Sequence, residues 1–310
     1  MQYSYKLSRE DQKEICRQIA IENREIVPKL AYKDENGDYH SILGYTPEGY
    51  KPNRETYNFV SHADAFLPGS FREFKIKEKD LNKDDGSKAS HNILFYPCKT
   101  FEVVTEYGFD SDIMAVLNFA NAYHIGGGYK RGCLAQEETL CRCSTLYASL
   151  TSPEARMAYS YNNDHKSVMG PDNIIHSPNV SIFRSDYDYS FTRHPYDVAV
   201  FSMAAPDLRY LTADEVPTQK ELTEVYLRRI RNLLALMYHI GYKEIVLGAF
   251  GCGAFKNSPK LVAQCFNQVL VEDGYKNLFK TVIFAIPYDD PNEMVENEKT
   301  KDNFEFVDKD

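Results

Sequence analysis

The chain of 310 residues contains no tryptophan, no internal repeat and no long apolar run. A helix that spans a membrane needs about 18 or more consecutive apolar residues, so we expect no membrane partner. Residues 1–6 carry no apolar stretch of the kind that a secretory signal requires. The absence of G-x-x-x-x-G-K-[ST] excludes a P-loop, and the absence of G-x-G-x-x-G disfavours a dinucleotide-dependent oxidoreductase.

The seven cysteines do not form a metal-binding pattern. Cys141 and Cys143 lack the C-x-x-C spacing of a zinc or redox site, and no matching pair of histidines follows them. Without a secretory signal, the simplest interpretation is a set of reduced thiols in a cytoplasmic protein. Entry into a nucleus would be expected only in a eukaryote, and the sequence has no basic cluster that would support it.

Negative charge is concentrated at the C-terminal end of the chain. The formal net charge is −9, and residues 289–310, with nine acids and three bases, account for −6 of it. This segment is expected to be a solvated acidic tail. The acidic balance argues against binding to duplex nucleic acid, but a cleft in the nearly neutral body can still bind an anion.

After residue 93, short apolar runs alternate with longer segments of helical periodicity, which predicts an α/β/α sandwich around a mixed, mostly parallel sheet. We expect one domain overall, with a core at 93–288 and an N-terminal helix and polar extension at 1–92. The predicted strands are Thr100–Thr105, Ala115–Phe119, Ile174–Phe183, Val198–Met203, Glu244–Leu247 and Thr281–Ile286. The predicted helices are 8–24, Gln136–Leu150, Thr218–Ile240 and Pro259–Val271, and residues 82–88 form a predicted polar loop.

Seven of the 16 glycines lie in two short segments, 126–132 and 248–253. Each segment follows a predicted buried strand and precedes a helix, which places it at the carboxyl edge of the sheet, where α/β folds bind ligands. Glycines there let backbone N–H groups approach a ligand closely, and two such loops can clamp a diphosphate. Ordinary turns are the alternative interpretation.

Glu137 and Glu138 open the helix that follows the first glycine segment. Acids in the first turn of a helix often compensate the helix dipole, and this is the alternative to a catalytic role. Successive helical residues diverge by about 100°, so the pair cannot flank one bond as the separated carboxylates of a standard glycosidase do. One acid could instead donate a proton while the other orients a sugar, since burial beside a second carboxylate raises a pKa.

These residues together resemble the signature of poly(ADP-ribose) glycohydrolases, in which three glycines, six to eight residues and Gln-Glu-Glu follow one another. Here Gly126-Gly127-Gly128 is followed by seven residues and then Gln136-Glu137-Glu138. The surroundings resemble the bacterial branch of the family, including 116–120, 175–180, 204–206 and the second glycine loop, 248–255. The resemblance extends over about residues 10–290 and implies a macrodomain-like fold.

The resemblance implies that Glu138 protonates the departing 2′-oxygen of the ribose–ribose bond and then deprotonates the attacking water. Glu137 would hold ribose hydroxyls, Asn121 the distal ribose, and Phe255 would pack on the terminal ribose. The backbone of both glycine loops would bind the diphosphate, which would itself stabilise the oxocarbenium-like ion. The binding positions that the resemblance implies are Asn121, Gly126, Gly127, Gly128, Gln136, Gly251, Cys252, Gly253, Ala254 and Phe255.

The family resemblance thus implies a glycosidase that needs no metal or cofactor and releases ADP-ribose from poly(ADP-ribose). Its partners would be this polymer, ADP-ribose and ADP-ribosylated proteins, and a monomer is expected. Two alternatives stay open: a macrodomain that binds ADP-ribose without turnover, and a hydrolase of other ADP-ribosyl linkages. One departure from the family pattern is Lys256-Asn257-Ser258-Pro259 in place of the usual Gly-Asn-Asp-Pro, where Ser258 can still cap a helix.

Overall fold

The computed structural model describes residues 4, 6–33, 37–43, 54–82, 93–106, 113–287 and 303–304. Within these residues, a seven-stranded sheet has the order β3-β6-β7-β5-β8-β9-β4, beside a separate pair, β1-β2. The strands are β1 (Ala31–Lys33), β2 (Tyr39–Ser41), β3 (Asp64–Phe66), β4 (Ile93–Tyr96), β5 (Ala115–Phe119), β6 (Ile174–Arg184), β7 (Phe191–Met203), β8 (Glu244–Leu247) and β9 (Thr281–Ala285). β6 is antiparallel to both of its neighbours, and the pairings from β7 to β4 are parallel.

Helices cover both faces of this sheet. They are α1 (Arg9–Lys29), α2 (Arg54–Val60), α3 (Glu78–Leu81), α4 (Thr100–Glu106), α5 (Gln136–Cys143), α6 (Leu146–Leu150), α7 (Pro153–Asp164), α8 (Gln219–Ile240) and α9 (Pro259–Asn267), and a π-helical turn, Gln268–Glu272, follows α9. Adjacent residues of one strand enter different cores. Leu117 of β5 packs with α8 and α9, while Val116 packs with α1, α5 and α7. The three-layer α/β fold with a mixed, mostly parallel sheet is therefore confirmed.

The N-terminal helix begins and ends at residues that the sequence marks. The Ser8 side chain accepts a hydrogen bond from the backbone N–H of Asp11 and so caps α1. The helix continues past the predicted end at residue 24 to Lys29, and Leu30 follows with a left-handed φ of 51°. Asn23 donates to the backbone oxygen of Arg142 (2.8 Å), which fixes α1 to α5.

Two predicted elements differ in the structure. Residues 100–106 form the helix α4 rather than a strand, because Asp186, distant in sequence, accepts a hydrogen bond from the backbone N–H of Phe101 (2.8 Å) at its first turn. The predicted helix Gln136–Leu150 is divided into α5 and α6. It breaks at Ser144, whose extended backbone forms a bridge to Ile182 of β6.

Part of the polar extension belongs to the sheet. β3 pairs with β6 in the register Asp64↔His176 and forms its edge strand. Tyr32, Ile42 and Val60 from this region bury their side chains in a small cluster with Phe183 of β6. The predicted polar loop lies outside the described residues apart from Asn82.

The acidic tail has two described residues, 303 and 304. Phe304 is buried, and its ring contacts those of Phe266 (6.1 Å between centroids) and Phe284 (5.5 Å). The expectation of a solvated tail is therefore wrong at Phe304, because an aromatic ring beside an apolar face gains more from burial than from hydration.

Candidate functional site

The two glycine loops meet at the carboxyl ends of neighbouring strands. β5 and β8 are parallel partners, with Ala115 opposite Ile245. The first loop follows β5 and the second follows β8, so both leave the same edge of the sheet. The rings of Phe119 and Phe250 contact each other across this junction, with centroids 5.9 Å apart. The predicted juxtaposition of the two loops is confirmed.

Glu137 and Glu138 occupy the first turn of α5 and are both buried, with 3% and 7% of their surface exposed. Oε2 of Glu137 accepts a hydrogen bond from the backbone N–H of Asn121 (2.8 Å). Oε1 of Glu138 accepts one from the backbone N–H of Gly128 (2.7 Å). Each acid therefore fixes a different point of the first loop through one of its two oxygens.

The other oxygen of each acid, Oε1 of Glu137 and Oε2 of Glu138, is buried without a hydrogen-bond partner among the described residues. Burial, followed by the charge of Glu138, raises the pKa of Glu137 well above its usual range, against the hydrogen bond from the backbone N–H of Asn121, which lowers it. Leaving two such oxygens unpaired is costly. The pair is thus ready to accept hydrogen bonds from a ligand's hydroxyls.

Gly127 lies directly against both carboxylates. A Cβ at this position would lie 2.5 Å from Oε1 of Glu138 and 2.9 Å from Oε2 of Glu137. Its φ of +56° is also a conformation that residues with a side chain rarely adopt. Only glycine therefore lets both acids approach the loop at once.

The neighbouring glycines serve packing. A Cβ on Gly126 would lie 2.8 Å from the ring of Tyr147, and one on Gly128 would collide with Cys133. The N–H of Gly127 donates to the oxygen of His124 (2.9 Å), and that of Gly128 donates to Glu138. The N–H groups of Gly127 and Gly128 thus have acceptors within the protein, and diphosphate binding by this loop stays a prediction.

Gln136 is engaged entirely with β5 and α4. Its Oε1 accepts a hydrogen bond from the backbone N–H of Phe119 (2.7 Å), and its Nε2 donates to the oxygen of Leu117 (2.9 Å) and to Oγ1 of Thr100 (3.0 Å). These bonds fix the first turn of α5 to the end of the strand. In the structure Gln136 therefore positions the start of α5, and the ligand contact that the resemblance implies for it stays a prediction.

The side-chain amide of Asn121 is only partly engaged in hydrogen bonds among the described residues. Its Oδ1 accepts hydrogen bonds from the backbone N–H groups of Tyr123 and His124 (both 2.9 Å), which holds the start of the loop. Its Nδ2 makes no hydrogen bond within the described residues. The side chain therefore presents an amide donor beside Glu137, as a sugar-binding role requires.

The second loop presents unpaired backbone donors. The N–H groups of Gly251, Gly253, Ala254 and Phe255 make no hydrogen bond within the described part of the chain, whereas that of Cys252 donates to Ala249 (3.0 Å). Consecutive free N–H groups form an anion-binding concavity. Diphosphate binding by this loop stays a prediction; it would use the four unpaired N–H groups, since that of Cys252 is engaged with Ala249.

Buried side chains hold the second loop in place. Nδ2 of Asn257 donates to the oxygens of Pro206 (2.8 Å) and Gly251 (3.1 Å), and the Tyr226 hydroxyl donates to Phe250 (3.1 Å). Gly251 fits among them with a φ of +79°, and a Cβ there would lie 2.5 Å from that of Ala205. These buried hydrogen bonds and the close packing of Gly251 hold the loop in this shape.

The thiol of Cys252 has no features of a nucleophile. Burial raises its pKa, and the structure gives it no base among the described residues. The Ser258 side chain accepts a hydrogen bond from the N–H of Leu261 and caps α9, which confirms the predicted cap.

Two residues near the acids were missed by the sequence analysis. Tyr159 of α7 buries its hydroxyl, and burial together with the charge of Glu137 raises its pKa. Arg209, after β7, places its guanidinium 4.8 Å from the centroid of the Phe255 ring. Arg209 could have been found by reading three residues beyond Pro206, but Tyr159 lies in a helix that the sequence analysis did not predict.

The described residues contain no group of three or more His, Cys, Asp or Glu side chains that could hold a metal ion. None of the helices in the described ranges is long and apolar enough to cross a membrane.

A family model described as the catalytic domain of microbial-type PARG matches residues 21–185. A search of curated proteins found no match.

Solved structures resemble the chain over most of its length. The poly(ADP-ribose) glycohydrolase (PARG) of Thermomonospora curvata is 28% identical, and the match covers 94% of this chain and 100% of that chain with a TM-score of 0.78. Its complex with the inhibitor ADP-HPD gives a TM-score of 0.77 with the same coverage and identity. The enzyme of Deinococcus radiodurans in complex with ADP-ribose is 29% identical over 82% of this chain and 98% of that one, with a TM-score of 0.68.

Proposed function

Because the chain belongs to the microbial-type poly(ADP-ribose) glycohydrolase family, we propose that it hydrolyses the O-glycosidic ribose–ribose bond of poly(ADP-ribose) and releases ADP-ribose. The observation that carries this proposal is the buried pair, Glu137 and Glu138, each with one carboxylate oxygen that has no hydrogen-bond partner among the described residues. A site that only binds ADP-ribose has no use for two unpaired acids, whose burial destabilises the fold.

In the proposed reaction, Glu138 donates its proton to the departing 2′-oxygen and then takes a proton from the attacking water. Its Oε1 stays on the Gly128 N–H (2.7 Å), so Oε2 is the oxygen that transfers the proton. Glu137 accepts hydrogen bonds from ribose hydroxyls through Oε1, and Nδ2 of Asn121 donates to the distal ribose.

Stabilisation of the oxocarbenium-like ion is assigned to the substrate. Both acids lie against Gly127, so we place them on the same side of the sugar and assign the second role of a separated carboxylate pair to another group. The diphosphate, held by the free N–H groups of Gly251, Gly253, Ala254 and Phe255, supplies the negative charge. The ring of Phe255 packs on the terminal ribose and fixes its orientation.

The test is to mix purified protein with poly(ADP-ribose) of defined length in the presence of EDTA and to follow ADP-ribose release. We expect release by the wild-type protein and a loss of about 10²–10⁴-fold in rate for Glu138→Gln, which cannot donate a carboxyl proton. Binding of ADP-ribose by the variant should be retained, as calorimetry would show.

Glu154→Gln is the matched control, because Glu154 is also an acid in the first turn of a helix, α7. If Glu138→Gln and Glu154→Gln were equally active, Glu138 would only compensate the helix dipole and would have no catalytic role. A wild-type protein that binds ADP-ribose and cleaves no polymer would be a binding module, or a hydrolase of another ADP-ribosyl linkage, which a panel of mono-ADP-ribosylated substrates would identify.

A further inference from the structure

The segment after β7 forms one rim of the site. In this rim segment (residues 206–210), the N–H of Leu208 donates to the oxygen of Phe255 (3.1 Å), and the oxygen of Pro206 accepts from Nδ2 of Asn257 (2.8 Å). Both bonds join it to the second glycine loop. The side chains of the rim segment therefore have a fixed place beside the ring of Phe255.

Arg209 is held in one orientation on this rim. Its Nε and Nη2 donate to the two carboxylate oxygens of Asp207 (2.8 and 2.6 Å). Its Cζ lies 4.8 Å from the ring centroid of Phe255 and 5.2 Å from that of Tyr210. A guanidinium fixed by a carboxylate and stacked on two rings is pre-organised for phosphate or base recognition.

Tyr210, the next residue of the rim segment, is 83% exposed, so most of its side chain faces solvent. The hydrogen bond with Asp207 raises the pKa of Arg209, and the charge of Glu138 makes a smaller contribution in the same direction. The guanidinium of Arg209 therefore lies next to the ring of Phe255, and the exposed ring of Tyr210 lies beside the same guanidinium.

The reaction proposed above determines what must occupy this space. The leaving oxygen is the 2′-oxygen of an adenosine, whose adenine is attached to the adjacent ribose carbon and whose 5′-oxygen carries a diphosphate. When Glu138 protonates that oxygen, a planar base and a phosphate necessarily lie just outside the pocket that holds the cleaved unit.

We infer that Arg209 and Tyr210 form a subsite for the adenosine of the leaving unit. The ring of Tyr210 stacks on its adenine, and the guanidinium of Arg209 pairs with its 5′-phosphate. This inference rests on the proposed function and deepens it. A leaving group without adenine, such as an amino-acid side chain, gains nothing from this subsite, so the subsite favours polymer over mono-ADP-ribosyl linkages.

Binding in the Glu138→Gln background tests the inference separately from catalysis. The affinities to compare are those of ADP-ribose and of a dimer of ADP-ribose, measured by calorimetry. We expect Tyr210→Ala and Arg209→Ala each to weaken dimer binding roughly tenfold, because a stacked base or a paired phosphate is lost. Neither should change ADP-ribose binding.

Arg231→Ala and Tyr187→Ala are the matched controls. Arg231 donates to Asp273 at 2.8 and 2.6 Å with a similar exposure, 37% against 30% for Arg209, and Tyr187 is an exposed tyrosine in the loop between β6 and β7. Both controls should bind the dimer like the parent.

Two results would overturn the subsite. The affinities for dimer and ADP-ribose could fall equally, which would place Arg209 and Tyr210 in the pocket of the cleaved unit, or neither affinity could change. If the wild-type protein cleaves polymer, either result contradicts the proposed subsite and leaves the proposed function intact. A wild-type protein that neither binds nor cleaves any ADP-ribose compound contradicts the proposed function, and the subsite with it.

Discussion

The two acids of the candidate site depend on a residue that has no side chain. Glu137 and Glu138 point away from the same helix turn, yet Gly127 brings an oxygen of each close to one Cα. At the scale of single residues, the site is therefore built by Gly127 as much as by the acids.

Replacing Gly127 with alanine should abolish activity. The new Cβ would meet Oε1 of Glu138 at 2.5 Å, so the acid must move away from the Gly128 N–H. We expect a loss of about 10²-fold or more in kcat/KM, since a displacement of about 1 Å has that effect. The measurement is the polymer-release assay on variants shown by circular dichroism to be folded.

Gly241→Ala separates backbone strain from displacement of the acids. Gly241 also has a positive φ, +111°, but a Cβ there meets no atom within 4 Å. This variant should lose stability, by about 1 kcal/mol, and keep full activity. If Gly127→Ala and Gly241→Ala were equally active, the contact between Gly127 and the acids would not matter for catalysis.

Among the elements, α4 is the one that sequence periodicity assigned wrongly. Its residues include Thr100, Val103 and Val104, which favour strands. The structure makes it a helix because the carboxylate of Asp186, from the loop between β6 and β7, bonds the N–H of Phe101. Gln136 also contacts the first residue of α4 through Oγ1 of Thr100 (3.0 Å), so this helix supports the start of α5.

Two substitutions of Asp186 should distinguish the effect of its charge on stability from the effect of its hydrogen bond to the N–H of Phe101. Burial raises the pKa of Asp186 to about 6, with the charge of Lys99 opposing the shift. The folded protein therefore holds a proton there that the unfolded chain has released, and this contribution to stability is lost as the pH rises from about 4 through 6. Asp186→Asn removes the titration but keeps an oxygen acceptor for Phe101.

We expect the free energy of unfolding of Asp186→Asn, relative to that of the wild type, to increase as the pH rises from 4 to 7. Asp186→Ala also lacks the charge but leaves the N–H of Phe101 unpaired. It should be about 1 kcal/mol less stable than Asp186→Asn at every pH. Urea unfolding across this pH range measures both effects, and a pH-independent difference from wild type would contradict the titration.

At the scale of the whole molecule, Phe304 of the acidic tail is buried in the core. Its ring packs against Phe266 of α9 and Phe284 of β9. These residues belong to the core on the α8 and α9 side of the sheet, away from Glu137 and Glu138 on α5. Phe304 therefore packs on the side of the sheet opposite the acids and contributes to stability there.

Phe304→Ala should destabilise the protein by about 3 kcal/mol, because it removes a fully buried aromatic ring. Polymer cleavage at a temperature well below the unfolding transition should stay within about twofold of wild type. Phe59→Ala is the control, since Phe59 is 60% exposed. Equal melting temperatures for the two variants would show that Phe304 is not packed in solution.

The sequence by itself determined the layered α/β fold, most of its central strands, and the pairing of two glycine loops at one edge of the sheet. It did so because buried strands and capped amphipathic helices such as α8 follow from local patterns of apolar residues. It also placed Glu137 and Glu138 near the first glycine loop, since their distance from Gly128 along the chain is short.

Only the tertiary structure decided which groups of the site are free to act. The N–H of Gly128 is taken by Glu138, whereas four N–H groups of the second loop are open, and no local pattern distinguishes the two loops in this respect. The cap on α4, the place of Phe304 and the position of Arg209 beside Phe255 likewise depend on residues far apart in sequence. Contacts between distant segments arise from packing, which a single sequence does not display.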